Sequence, residues 1–329
     1  VRELTVKAGT ELPPFSGLDI VADAGPRGGT LSVASSDASL DLKPLFAHAH
    51  RNIRIGGEFA WRLMPAGSIH LWSRALSVDT QDFETISRLA LCVHPSGASP
   101  SVNLHTHIRN GRVEALQRWL PVGIMDQRLE EWLGRAIVDG RLESADLLLR
   151  GPLEHFPFDD QQGRFILVLR AVDGVLDYGA KAPSSAEQPG LRDAEEVPEL
   201  QWPPLHDVAA TLRFENRSLE ITVAGAELLN ARIDDGRALL RNLWQPRYLE
   251  IEAAGEGPLA DGKHVLGTSP LAPKLGGLAA AVEVDGSARL ALELGVPLSR
   301  GLPFQYRGTV TMDPLAPSAD APQANRTLT

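Results

Sequence analysis

Apolar residues recur at every second position over most of this chain, and that spacing constrains the fold more than any other feature. Ile53, Ile55, Phe59 and Trp61 share one parity, as do Leu89, Leu91 and Val93, and then Val102, Leu104 and Ile108. Phe165, Leu167 and Leu169 repeat it, followed by Leu212 and Phe214, then Leu219, Ile221 and Val223. Leu249, Ile251 and Ala253 continue the pattern, and Leu290, Leu292 and Leu294 close it. Successive strand side chains point to opposite faces, so each segment carries one apolar face. Glycine and proline number 30 and 24, punctuation that favours many short strands over long helices. Asn110-Gly111, Asp139-Gly140, Asp173-Gly174, Asp235-Gly236 and Asp285-Gly286 sit between the segments. Asx-Gly readily takes the positive φ angles of tight hairpin turns, so the expected product is an antiparallel meander.

Two stretches read differently. Val113, Leu116, Trp119 and Leu120 recur at helical spacing within 112–120, and Leu129, Trp132, Leu133, Ala136 and Ile137 do so within 127–138. Asp126 is the expected N-cap of the second helix, and Pro121 with Gly123 separates the two. The spacing therefore predicts a helical hairpin over 112–138 inserted between strands, and a helical turn near 263–268. A long loop is expected over 180–201 and a disordered tail over 314–329, since neither carries any periodicity. A faint repeat of about 145 residues is present, in which Asp139-Gly140 returns as Asp285-Gly286 and Phe156-Pro157-Phe158 as Leu302-Pro303-Phe304. The resulting division is an incomplete β segment over 1–111, the insert, a second segment over 139–256, and the start of a further repeat over 257–313.

Charge and side-chain chemistry exclude more than they assign. Lys plus Arg is 32 and Asp plus Glu is 42, a net charge of −10, which argues against a nucleic-acid partner because phosphate binding needs a basic surface. The single cysteine, Cys92, rules out an intrachain disulfide and a cysteine-rich metal site; between Leu91 and Val93 it reads as a buried, inert thiol. His105 and His107, like His48 and His50, have an i, i+2 spacing but no third ligand at a recognisable distance, and are expected to be ordinary polar-face histidines. Asp159-Asp160-Gln161-Gln162-Gly163 lacks the ligand pattern of a calcium loop and reads as a solvated turn. No nucleophile elbow, phosphate loop or zinc-protease motif occurs. The sequence calls for no catalytic residue, no metal and no cofactor. No apolar run approaches the ~20 residues of a membrane span, and no signal-peptide pattern opens the chain.

What remains is the amount of apolar strand face. A closed sandwich would hide it as core; a curved, open sheet would present it as a long trough. Parity assigns the lining of such a trough to Leu104, Leu147, Leu149, Phe165, Leu167, Leu169, Leu212, Phe214, Ile221, Val223, Leu249, Ile251, Leu290 and Leu292. Arg170, Arg213, Glu220, Glu250 and Glu252 take the opposite parity.

An ordered set of local patterns then meets a family. It begins with Gln117-Arg118-Trp119-Leu120-Pro121, Glu131-Trp132-Leu133-Gly134-Arg135-Ala136 and Asp139-Gly140. Leu149-Arg150-Gly151-Pro152-Leu153, Phe156-Pro157-Phe158 and Gly163-Arg164-Phe165 follow. Trp202-Pro203-Pro204-Leu205, Leu212-Arg213-Phe214, Thr268-Ser269-Pro270-Leu271 and Val296-Pro297-Leu298 complete it. Over roughly residues 50–313 this order resembles the YhdP proteins, AsmA-like envelope proteins related to TamB and YdbH. The resemblance implies a mainly β fold, a strongly curved and elongated antiparallel sheet forming an open apolar groove. It implies a periplasmic protein of a Gram-negative bacterium, anchored in the inner membrane by an N-terminal helix that this chain does not contain, and reaching towards the outer membrane. The implied activity is bridge-like transfer of phospholipid, with no catalytic residues, so the chain is expected to be an internal fragment. A fragment of an array would expose an unpaired edge strand and associate end to end with further copies. Two rivals stand beside this reading: a structural envelope protein with a closed β core and no ligand, and a glycan-active β-solenoid enzyme, which needs paired carboxylates about 5–10 Å apart.

Overall fold

The computed structural model describes residues 4–6, 14–43, 45–95, 97–124, 127–179, 202–268, 286–299 and 301–312. The loop expected over 180–201, Asp285 and the tail expected over 314–329 lie outside these residues. Sixteen strands follow one another: β1 (Leu4–Val6), β2 (Phe15–Leu18), β3 (Ile20–Gly25), β4 (Gly28–Leu40), β5 (His50–Leu63), β6 (Ile69–Asp79), β7 (Glu84–Val93) and β8 (Ser101–Arg112) form the first half. The second half comprises β9 (Ile137–Pro152), β10 (Arg164–Leu176), β11 (Leu205–Glu215), β12 (Ser218–Leu228), β13 (Ala231–Leu240), β14 (Tyr248–Pro258), β15 (Ser287–Pro297) and β16 (Gln305–Met312). All belong to one sheet, and every pairing is antiparallel. From β4 onward the order in space is the order in sequence, with β3 flanking β4. The path runs from β1 to β16 without returning, so the sheet is open and not closed into a barrel.

The strands are longer than the Gly and Pro content predicts. From β4 to β15 they run for 10 to 16 residues, because the Asx-Gly pairs do not reverse the chain. Asn110-Gly111 lies inside β8, Asp139-Gly140 inside β9, Asp173-Gly174 inside β10 and Asp235-Gly236 inside β13. The positive φ is present, at 56° for Asn110, 55° for Asp173 and 140° for Gly140, but the strand continues through it. Register shifts accompany three of these sites, and β4–β5, β5–β6, β6–β7 and β11–β12 shift as well. One kind of bulge uses the same left-handed φ as a hairpin turn, and any bulge bends the strand and increases its twist. Repeated on neighbouring strands, bulges curve the sheet. At Gly140 a side chain would press on the backbone of Gly174 across the bulge.

The helical insert is also shorter than its spacing predicts. Arg112 still belongs to β8; a 3₁₀ turn covers Val113–Ala115, and α1 is a single turn, Leu116–Trp119. Pro121 is the cause: the residue before a proline is driven to extended backbone, and Leu120 has ψ 130°. A second 3₁₀ turn covers Val122–Ile124, then α2 runs Gln127–Ala136. A third helix, α3 (Leu259–Thr268), begins before the turn expected at 263. Among the described residues no helix is long and apolar enough to cross a membrane.

An aromatic and ionic cluster helps to fasten the insert. His50 lies flat against Trp119, with ring centroids 3.7 Å apart, while Phe46 and Phe83 meet Trp119 edge-on. Trp119 Nε1 donates to Asp82 Oδ2 at 2.8 Å, and Arg118 Nε donates to the same oxygen at 3.0 Å. Burial alone would raise the Asp82 pKa; the hydrogen bonds from Arg118 and Trp119, with the nearby positive charge, overcome it and hold the carboxyl below its usual range. His50 is buried, not the polar-face residue its spacing suggested, and desolvation holds its pKa below 6.5 against the attraction of Asp82. Both groups bind protons less readily folded than unfolded. Stability is therefore fully present above about pH 6.5 and falls on acidification, first through His50 and then, below the normal carboxylate pKa near 4, through Asp82. A thermal melting series from pH 7.5 to 4 should show a falling Tm, with the step between pH 6.5 and 5 removed in His50→Phe. Asp82→Ala should cost about 1.5–3 kcal/mol at pH 7 in denaturant unfolding, since it strands a charged and an indole donor.

Candidate functional site, an open apolar sheet face

Register decides which side chains share a face, because directly paired residues of neighbouring strands point the same way. Leu104 pairs with Leu149, and Leu149 with Phe165. Leu147 pairs with Leu167, which pairs with Phe214. One row then crosses six strands as Leu169, Leu212, Ile221, Ala238, Ile251 and Leu294. A parallel row runs Ala171, Ala210, Val223, Gly236, Ala253 and Leu292. Leu249 joins through Val296, and Leu290 through Gly255. All fourteen residues assigned by parity thus stand on one face of one sheet. Arg170, Arg213, Glu220, Glu250 and Glu252 stand on the other. The apolar face also continues where parity had assigned no lining, through Leu89, Leu91, Leu71 and Trp61 on one side and Tyr306 and Val310 on the other.

Among the described residues no second layer of sheet covers this face. Among the described residues only nine apolar residues are buried, and the only large side chains fully buried are Phe158 and Ile53. Most of the nine, including Ala38, Ile53, Ala115, Leu120 and Ala136, belong to β4, β5 and the helical insert. The leucines of the face are half-buried by one another, and Leu290 is 42 % exposed. In a packed sandwich such residues would lie below about a tenth. Small residues on the same face are nonetheless buried: Ser35, Ser73, Thr85, Ser87, Thr106 and Ala145. Larger neighbours crowd over them, as on a concave floor. Ser87 and Thr106 satisfy each other there, with oxygens 2.9 Å apart. These polar floor positions were invisible to an argument that counted apolar parity alone.

The opposite face is a lattice of exposed ion pairs. Arg237 meets Glu220 at 2.7 Å, Arg241 meets Glu250 at 2.6 Å, Arg289 meets Glu256 at 2.9 Å and Arg164 meets Glu215 at 2.7 Å. Hydrogen bonds from Arg164 and Arg213 hold the Glu215 carboxyl below its usual pKa. Exposed pairs of this kind contribute at most about 1 kcal/mol each; their effect is to keep this face wet. His107 bonds Asp146 at 2.8 Å on the same side. Cys92 also faces this side, opposite His70 and Ser101. It is half-exposed, with Sγ 3.6 Å from His94 Nε2, not the buried thiol its apolar neighbours suggested, because Leu91 and Val93 have the other parity. Among the described residues no three His, Cys, Asp or Glu side chains gather to hold a metal ion.

An apolar surface this continuous should bind a hydrophobic dye without unfolding. Anilinonaphthalene sulfonate fluorescence should rise on mixing with native protein below its melting transition, and a charge at Leu212 or Ile221 should reduce the signal while the same charge at Thr222 leaves it unchanged.

No curated protein matches the chain, and no solved structure does. The model of the YhdP protein family matches residues 1–322, nearly the whole chain. With that match added to the open sheet and its ordered motifs, the chain belongs to the YhdP family, an AsmA-like envelope family.

Proposed function

We propose that this chain is a groove segment of a periplasmic lipid-transfer bridge, carrying phospholipid acyl chains along its apolar face between the inner and outer membranes. One observation carries the reading: an in-register apolar face crosses β8 to β15, and no layer of the described residues packs on it. Water is a poor occupant of such a face. Burying a methylene is worth about 0.8 kcal/mol, so ten methylenes on the floor offset roughly 8 kcal/mol of exposure. Because the floor repeats the same side-chain chemistry strand after strand, a chain can slide with little net change at each step. Head groups stay in solvent at the mouth, which accounts for a site without a convergent charge cluster. Family membership supports the envelope setting; anchoring to the inner membrane belongs to the same proposal, with the anchor supplied by sequence other than the described helices.

Two measurements test it. Brominated-acyl phosphatidylglycerol should quench Trp61, on the apolar face, and leave Trp72, on the polar face, unquenched in single-tryptophan variants. Leu167→Asp should melt close to wild type, because a carboxylate on an open face reaches water, and should lose most phospholipid transfer between donor and acceptor vesicles. In a closed core the same charge would cost several kcal/mol and unfold a marginal domain. Wholesale unfolding of Leu167→Asp, or full transfer by the folded variant, would sink the groove.

A further inference from the structure

The hairpins at one end of the strands are tied to each other, and the tie sets an aromatic ring against the apolar face. The loop between β9 and β10 carries Phe156 and Phe158. Phe158 is fully buried, lodged where side chains at Gly151 or Gly163 would collide with its ring. Asn216, in the β11–β12 turn, donates to the Phe158 carbonyl at 3.3 Å and accepts from the Phe165 amide at 3.0 Å. Arg217 Nε donates to Asp159 Oδ1 at 2.6 Å, and the Leu243 amide donates to the Arg217 carbonyl at 2.8 Å. Three successive hairpins are thereby joined. Phe156 is held above this anchor, with its ring edge-on to Phe165, a residue of the apolar face, at 5.4 Å. It also meets Phe158 at 5.9 Å and Trp244, from the β13–β14 hairpin, at 6.2 Å.

That last contact spans an unusual distance along the sheet. β10 and β13 are three strand spacings apart, roughly 14 Å on a flat sheet at about 4.8 Å per strand. Rings from their hairpins meet because the loop after β9 reaches along the end of the sheet, and the contact of Phe156 with Phe165 places the pair at the rim of the apolar face. Phe156 belongs to a loop locked at Phe158, Asp159 and Asn216. Trp244 is 45 % exposed, more than Phe156, and so has open space on its solvent side into which to turn.

We propose that Phe156 and Trp244 form an aromatic clasp over the rim of the apolar face between β10 and β13, with Trp244 as the moving half, and that the clasp retains an acyl chain lying on this stretch of floor. The inference rests on the groove reading and adds a positioning element to it. An aromatic roof over a methylene floor covers the chain on both sides at this rim, so lateral escape requires the rings to part, whereas sliding along the floor does not.

The test uses purified protein loaded with phosphatidylglycerol carrying a pyrene-labelled acyl chain, mixed in a stopped-flow instrument with excess unlabelled vesicles. Trp244→Ala should release the probe several-fold faster, up to about tenfold, the factor that corresponds to about 1.4 kcal/mol. Trp244→Phe, which restores a ring, should release it at close to the wild-type rate. Phe156→Leu should behave like Trp244→Ala and covers the case in which that variant fails to fold. Wild-type protein that loads no probe overturns the groove and the clasp together. Loading with unchanged release in the folded variants overturns the clasp alone and leaves the groove standing. A lowered Tm without faster release identifies the contact as a structural tie and likewise overturns the proposal.

Discussion

Everything in this molecule depends on the antiparallel hydrogen-bond ladder staying in register from strand to strand. A closed domain fixes its strands by packing them against a second layer. Here the described strands have no such layer, and the large fully buried side chains are only Phe158 and Ile53. Stability therefore comes from neighbour-to-neighbour pairing, from cross-strand contacts such as Leu147 with Leu167, and from ion pairs such as Arg237 with Glu220. A slip of one residue would turn every leucine of a strand to the wet face. The alternation that builds the apolar face is thus also the feature that penalises the wrong register.

The sheet has an internal order longer than a strand pair. Gly140 at the start of β9 has φ 140°, and Gly286, immediately before β15, has φ 144°. At the other end of those strands, the Leu153 amide donates to the carbonyl of Pro100, just before β8, and the Leu298 amide donates to that of Arg247, just before β14. Helical residues precede both strands, α2 before β9 and α3 before β15. An offset of about 145 residues in the sequence thus carries β9 onto β15, six strands further along the sheet. Strands paired along one direction can be added without a new core. The Phe156–Trp244 contact reaches from the β9–β10 hairpin to a hairpin four strands on, a connection at longer range than the ladder.

The two ends of the strands differ in construction. One end carries the helical insert, fastened through Asp82, Arg118, Trp119 and His50, where burial and charge are concentrated. The other carries short hairpins joined by Asn216, Arg217 and the aromatic loop. A trough needs both: walls that hold their curvature and a floor left free. Bulges at Asp139, Asp173 and Asp235 bend the strands, and the exposed ion pairs keep the outer face in water so that the two faces are not interchangeable.

The alternation of Leu167, Leu212, Ile221 and Ile251 with charged neighbours determined by itself that the chain is mainly β and that these residues share a face, because side-chain direction in a strand follows from backbone geometry alone. The ordered motifs from Trp119 to Pro297 likewise pointed to the family without any coordinates. Asx-Gly could only announce positive φ. Whether that φ made a turn or a bulge depended on which strands lay on either side, and the tertiary structure chose the bulge. Pro121 was legible as a break and ends α1 at Trp119, but the start of the helix was not legible: Arg112 stays in β8 and Val113–Ala115 form a 3₁₀ turn. The burial of Ser87 and Thr106, the exposure of Cys92 and the meeting of Phe156 with Trp244 were decided by curvature and by contacts between residues far apart in the chain, which no local periodicity encodes.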